Sequence, residues 1–99
     1  MATYTVSADA IGTSLFTMTA NTADVVTFTD DLTDVEVVSD GAAAVYYTID
    51  GSTPSINGAN CYYLPSGVAS VDARKPRTDG GTVVKLISAG TPSVRVQRG

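Results

Sequence analysis

Histidine and tryptophan are absent from this chain of 99 residues, cysteine occurs once, and no lysine or arginine appears before residue 51. Without histidine the usual side-chain base near neutral pH is missing, so a serine or cysteine nucleophile would need an atypical partner. One cysteine, Cys61, permits no internal disulfide and supplies too few thiolates for a cysteine-based metal site, which leaves it the reading of a small apolar filler in a strand. No segment approaches membrane-spanning length, and the opening MATYTVSADA has neither a basic leader nor a long apolar run. No signal peptide and no membrane are therefore expected, and synthesis in a cytoplasm is.

Apolar residues make up 43% of the chain and charged residues 16%, a balance that allows collapse around a core. The length suits one domain, read as residues 1–99. Valine, threonine, tyrosine and isoleucine dominate the periodic segments, and straight-chain helix formers are scarce, which favours strands. The net charge of −4 is unevenly spread: residues 1–50 hold eight acids and no base, and residues 51–99 hold all six bases against Asp72 and Asp79. If strands from the two halves intermingle, acids and bases of one molecule attract each other; if they stay apart, neighbouring copies associate patch to patch with a salt-sensitive strength. The acidic total argues against nucleic acid as a partner.

Alternation marks the strands. Thr3–Ser7 turns Tyr4 and Val6 one way. Leu15–Thr19 does the same with Phe16 and Met18, Ala23–Thr29 with Val26 and Phe28, and Asp34–Ser39 with Val35 and Val37. Ala44–Ile49 and Asn60–Leu64 are two aromatic strands, and Val68–Val71 is a short one. Thr82–Ser88 places Val84 and Leu86 opposite Val83, Lys85 and Ile87, and Ser93–Gln97 closes the chain with Val94 and Val96 inward. The polar stretch Asp72–Gly81, broken by Pro76 and two glycines, reads as an exposed loop. Short strands with turn signals about every ten residues describe a β-sandwich or small barrel of some seven to nine strands.

Chemistry-bearing constellations are few. Asp30, Asp31, Asp34 and Glu36 could in principle serve a glycosidase or hold Ca²⁺, but they fall in a turn and on an outward strand face with no metal-loop spacing, as solvated surface acids do. No serine sits in a nucleophile motif and no glycine-rich phosphate loop occurs. Neither catalysis nor a cofactor is expected. Arg74, Lys75 and Arg77 gather half of the chain's bases in four residues, where they could clamp carboxylates on a partner. Outward Val83 and Ile87 flank Lys85, so their face is either covered within the molecule or meets another one. Tyr46 with Tyr62 or Tyr63 could form a platform for a sugar ring, although the missing tryptophan weakens that alternative.

The stretch VYYTIDGSTP, residues 45–54, is a strand with a built-in stop: Asp50-Gly51 suits a tight turn, Ser52 and Thr53 can bond its backbone, and Pro54 ends the ladder. Together with NCYYLP at Asn60–Pro65 and TVVKLIS at Thr82–Ser88, it resembles the chitobiase C-terminal-like Ig-fold domains over Val45–Ser88, under half of the chain. In that family the motif is structural, so the resemblance implies an Ig-like β-sandwich and no catalytic residue. The long basic loop and the early end after the last strand depart from the pattern. The chain as a whole is similar to small virion proteins of tailed bacteriophages, through segments such as VTFTDDLTDVEVVSDGAA and VKLISAGTPS.

That second resemblance implies a non-enzymatic virion structural protein, most readily a capsid decoration (minor capsid) protein made in the bacterial host cytoplasm. It would bind the outer shell in many copies. Its partners would be the major capsid protein and possibly copies of itself, met through Arg74, Lys75, Arg77, Val83, Lys85 and Ile87. A carbohydrate-binding or adhesion module, or a tail component, is the alternative.

Overall fold

A computed structural model describes residues 2–30, 32, 34–67 and 82–98, together with the backbone of 70–74. The described residues form nine strands: β1 (Thr3–Val6), β2 (Phe16–Thr17), β3 (Asp24–Phe28), β4 (Asp34–Ser39), β5 (Val45–Thr48), β6 (Tyr62–Leu64), β7 (Ser70–Arg74), β8 (Thr82–Ile87) and β9 (Ser93–Arg98). They build an all-β sandwich of a five-stranded sheet ordered β1-β3-β8-β5-β6 and a four-stranded sheet ordered β2-β9-β4-β7. Alternation is the cause: most inward side chains of the described strands are apolar, with Asp24, Ser39 and Thr82 the polar ones at strand ends, and two sheets facing each other bury both sets. Val26 and Phe28 of β3, Val84 and Leu86 of β8, and Tyr47 of β5 meet Val35 and Val37 of β4 and Val94 and Val96 of β9, all of them fully buried.

Among the described strands, only β5 and β6 are both consecutive in sequence and neighbours in a sheet. The other ladders join distant segments, and each strand after residue 51 lies beside at least one strand from before it: β8 between β3 and β5, β9 between β2 and β4, β7 beside β4, β6 beside β5. The acidic and basic halves therefore intermingle. Among the described strands β1 is the one parallel partner, running beside β3 from Thr3↔Val25 to Val6↔Phe28. Asp24 fixes its start, since the Asp24 Oδ1 accepts the Ala2 N–H at 3.0 Å while the Ala2 carbonyl accepts the Val25 N–H at 2.9 Å.

Three sequence expectations change, the first being Cys61, expected as a small apolar filler in a strand, which instead precedes β6, half-buried. The segment expected as a strand over Leu15–Thr19 keeps only Phe16–Thr17 as strand. Upstream of it, the chain touches β9 at an isolated bridge between Gly12 and Gln97, and Ile11 and Leu15 stay exposed. The stretch 72–74, expected in an exposed loop, instead completes β7, whose ladder with β4 runs from Val38↔Ser70 to Asp34↔Arg74. A sheet edge tolerates polar and charged residues because only one of its sides is paired. The remainder of that stretch, 75–81, lies outside the described residues, as do Val68 and Asp31.

Candidate functional site

Register assembles the outer face of the five-stranded sheet from segments far apart in sequence. Lys85 on β8 stands opposite Val25 on β3 and Thr48 on β5, and Val83 stands opposite Thr27. Ile87 stands opposite Tyr46, which in turn stands opposite Tyr63 on β6. Ile87, Tyr46 and Tyr63 thus form one row across three strands. The Tyr46 and Tyr63 rings stack with centroids 5.1 Å apart and an interplanar angle of 27°. Tyr46 also donates its hydroxyl proton to the Asn57 Oδ1 at 2.7 Å, which fixes the ring from its far end. Tyr63 is 52% exposed, whereas Val25, Thr27, Val83, Lys85, Ile87 and Tyr46 are half-buried by one another.

Lys85 is the one charged side chain among the described outward residues of this sheet, and among the described residues no carboxylate reaches it. Thr48, its cross-strand neighbour, is buried under its own turn and donates to the Ser52 carbonyl. The outer face of the four-stranded sheet differs in kind. Glu36 accepts from the Gln97 Nε2 at 2.6 Å, the Thr17 and Ser93 hydroxyls lie 3.1 Å apart, and Arg95 shares this face. The outer face of the four-stranded sheet is mainly polar, with Val38 among its polar groups and the Arg95 Nε buried without a partner among the described residues; that of the five-stranded sheet gathers valine, isoleucine and tyrosine, with threonines beside them, around a single cation.

The residues expected to bind a partner divide between the two sheets. Val83, Lys85 and Ile87 lie together on β8. Arg74 ends β7 at the edge of the other sheet, with its backbone opposite Asp34. Lys75 and Arg77 lie outside the described residues. The tyrosines also divide. Tyr63 joins Tyr46 on the outer face, while Tyr62 stacks on buried Tyr47 at 5.6 Å and is 37% exposed. The sequence offers Tyr46 with Tyr62 or Tyr63 as a platform, and the structure pairs Tyr46 with Tyr63; that this pair and Val25 lie beside Lys85 escaped the sequence reading. Alternation along each strand turned them outward, but only the strand order makes them neighbours of Lys85.

The stretch 45–54 shows why its residues occur together. Tyr47 is fully buried and Gly51 takes φ +86°, a left-handed conformation that disfavours any Cβ. The Asp50 Oδ1 accepts both the Ser52 N–H at 3.0 Å and the Ser52 hydroxyl at 2.6 Å, and the Gly51 N–H bonds the Val83 carbonyl at 3.1 Å. The turn is thereby tied to β8, and Pro54 is buried behind it. A cleft of about 550 Å³ opens beside this turn, lined by Thr48, Ile49, Asp50, Ser52, Asn60, Cys61 and Tyr62. Its Cys61 thiol points to the Gly58 carbonyl at 3.3 Å.

Carboxylates are used locally. Asp30 is gripped by Arg98, Glu36 by Gln97, and Asp40 accepts the Ala42 N–H at 3.0 Å. Among the described residues no three histidine, cysteine, aspartate or glutamate side chains gather to hold a metal ion. Compared with known proteins, the chain matches no family model, no curated protein and no solved structure.

Proposed function

We propose that this is a non-enzymatic virion structural protein of a bacteriophage, a capsid decoration protein that docks on the assembled shell in many copies through the outer face of its five-stranded sheet. The observation that carries the docking role is the contrast between the two outer faces, because an apolar, aromatic surface with few charges is what the centre of a protein contact is made of. The polar face of the four-stranded sheet would remain in water. Assignment to a virion rests on the resemblance of the chain's segments to small phage structural proteins, and an Ig-like sandwich is the fold implied by the separate resemblance of Val45–Ser88 to the chitobiase C-terminal-like domains.

Repetition suits such a surface. A weak contact repeated over a shell covers it densely once copies are supplied in excess, and a contact of modest size then suffices. Arg74, whose backbone ends β7 at the edge of the other sheet, would add a cation, and Lys75 and Arg77 follow it in sequence. The test is co-sedimentation of the purified protein with capsids that lack it, at low and high salt. Saturable, salt-weakened binding is expected; no binding at either salt would overturn the assignment and turn the search to tails and cell-wall glycans.

A further inference from the structure

The outer face of the five-stranded sheet has an unmet electrostatic requirement. Lys85 projects from the central strand of that sheet, half-buried, with Val25 opposite it and Val83 and Ile87 two positions away on its own strand. Its aliphatic stem lies along this surface, and among the described residues no carboxylate forms an ion pair with its ammonium. The acids of the described residues are engaged otherwise: Asp34 and Glu36 stand on the other sheet, Asp9 accepts from the Ser7 hydroxyl, Asp24 is buried at the start of β3 and bonds the Ala2 N–H, Asp40 bonds its own turn, Asp30 is held by Arg98, and Asp50, in the turn beside Val83, accepts from Ser52. Any occupant that covers the face must strip water from Lys85, and stripping it without a counter-charge is costly.

That requirement selects the occupant. A second copy laid symmetrically face to face would bring a second cation and, among the described outward residues of this sheet, no carboxylate to meet either. A nucleic acid would meet one cation on a protein of net charge −4. A protein surface bearing a carboxylate inside an apolar patch satisfies both the ammonium and the surrounding aliphatic groups. Tyrosine is among the residues that carry most of the energy at protein contacts, and the Ile87–Tyr46–Tyr63 row offers two of them, held rigid by stacking and by the Asn57 bond.

We propose that this face recognises an acidic-centred apolar protein surface, with the Ile87–Tyr46–Tyr63 row as its anchor and Lys85 as the charge that selects the partner. The proposal rests on the docking reading above and names the chemistry of the surface the protein docks on.

The experiment measures shell co-sedimentation of the intact protein alongside Lys85→Gln, Lys85→Glu and Tyr63→Ala, each first shown by circular dichroism to melt cooperatively. Lys85 and Tyr63 both reach solvent, so their replacement leaves the core intact. Lys85→Gln and Tyr63→Ala should each weaken docking by about tenfold or more, and Lys85→Glu by more again. Lys85→Gln should also lose much of the salt dependence. If the unaltered protein docks and all three folded variants dock equally well, the inference is overturned while the docking role stands. If the unaltered protein fails to sediment with shells at either salt, both fall. A saturable change of tyrosine fluorescence with bacterial cell-wall polysaccharide, in place of shell binding, would assign the Tyr46–Tyr63 row to a glycan and overturn both as well.

Discussion

The Arg98 guanidinium grips the Asp30 carboxylate with two nitrogens, NH1 to Oδ2 at 2.6 Å and NH2 to Oδ1 at 3.0 Å, across 68 positions of sequence. The same side chain donates from Nε to the Ala10 carbonyl at 2.6 Å and from NH2 to the Ser7 carbonyl at 2.7 Å, and it lies 5.4 Å from the centre of the Phe28 ring. One residue of the last strand thus holds the end of β3 and the segment that follows β1. Here one acid of the first half of the chain is paired with one base of the second within the molecule.

Acid should reveal this contact. The Arg98 hydrogen bond, outweighing the desolvation that opposes it, holds the Asp30 carboxyl below its ordinary value of 3.8. A carboxylate whose folded pKa is depressed contributes stability that is present above the unfolded value and is lost as pH falls through the folded one. Melting temperatures of the unaltered protein and of Asp30→Asn should therefore differ at pH 6 and converge on acidification below pH 3.8. A gap that stays constant across that range would show that Asp30 contributes nothing through its charge.

Gly12 tests the irregular edge beside β9. A Cβ built there would lie 2.5 Å from the Val96 carbonyl oxygen and 2.7 Å from the Gln97 Cα, both backbone atoms of a paired strand. Rigid neighbours cannot give way as a flexible side chain would. Gly12→Ala should cost about 1–3 kcal/mol by urea denaturation, the range for overpacking. A variant as stable as the unaltered protein would mean that the segment before β2 moves aside freely.

Most of the sandwich was legible because its strands alternate: Val26 and Phe28, Val35 and Val37, Val84 and Leu86, Val94 and Val96 all point inward as their spacing requires. Composition misled at Asp72–Arg74, where polar residues suggested a loop. Pairing with β4 settles that stretch, and pairing is a tertiary fact that no local window contains. The docking face was half legible for the same reason. Val83, Lys85 and Ile87 share one strand, so their common face followed from alternation, but Val25, Tyr46 and Tyr63 reach them only because β8 inserts between β3 and β5. Arg98 was missed as a clamp, since nothing near it in sequence indicates Asp30, Ser7 or Ala10.

The turn at 50–52 offers a sharper check on local sequence logic. Thr48 is buried and its hydroxyl serves the Ser52 carbonyl, so Thr48→Val, which keeps the shape and removes the donor, should cost about 1–2 kcal/mol. Gly51→Ala forces a Cβ into left-handed backbone at φ +86° and should cost a further ~1–2 kcal/mol. Because both act on one turn, the double variant should fall short of the sum of the two losses. Full additivity would show that the two residues stabilise the turn independently.

Burial predicts opposite outcomes for two large apolar residues. Phe28 is fully buried between the sheets and lies under the Arg98 guanidinium, so Phe28→Ala removes a ring that neighbouring side chains cannot replace and should cost about 3–5 kcal/mol. Ile11 is 67% exposed on the segment that leads to β2, and Ile11→Ser should change stability by no more than about 0.5 kcal/mol. Its side chain contributes apolar surface to water and little to the core, so the substitution should also slow aggregation of the purified protein at high concentration, read by light scattering. Should Ile11→Ser instead destabilise the fold by an amount comparable to Phe28→Ala, the segment before β2 would have to pack onto the sandwich in solution, and the edge of the four-stranded sheet would be better covered than its 67% exposure at Ile11 implies.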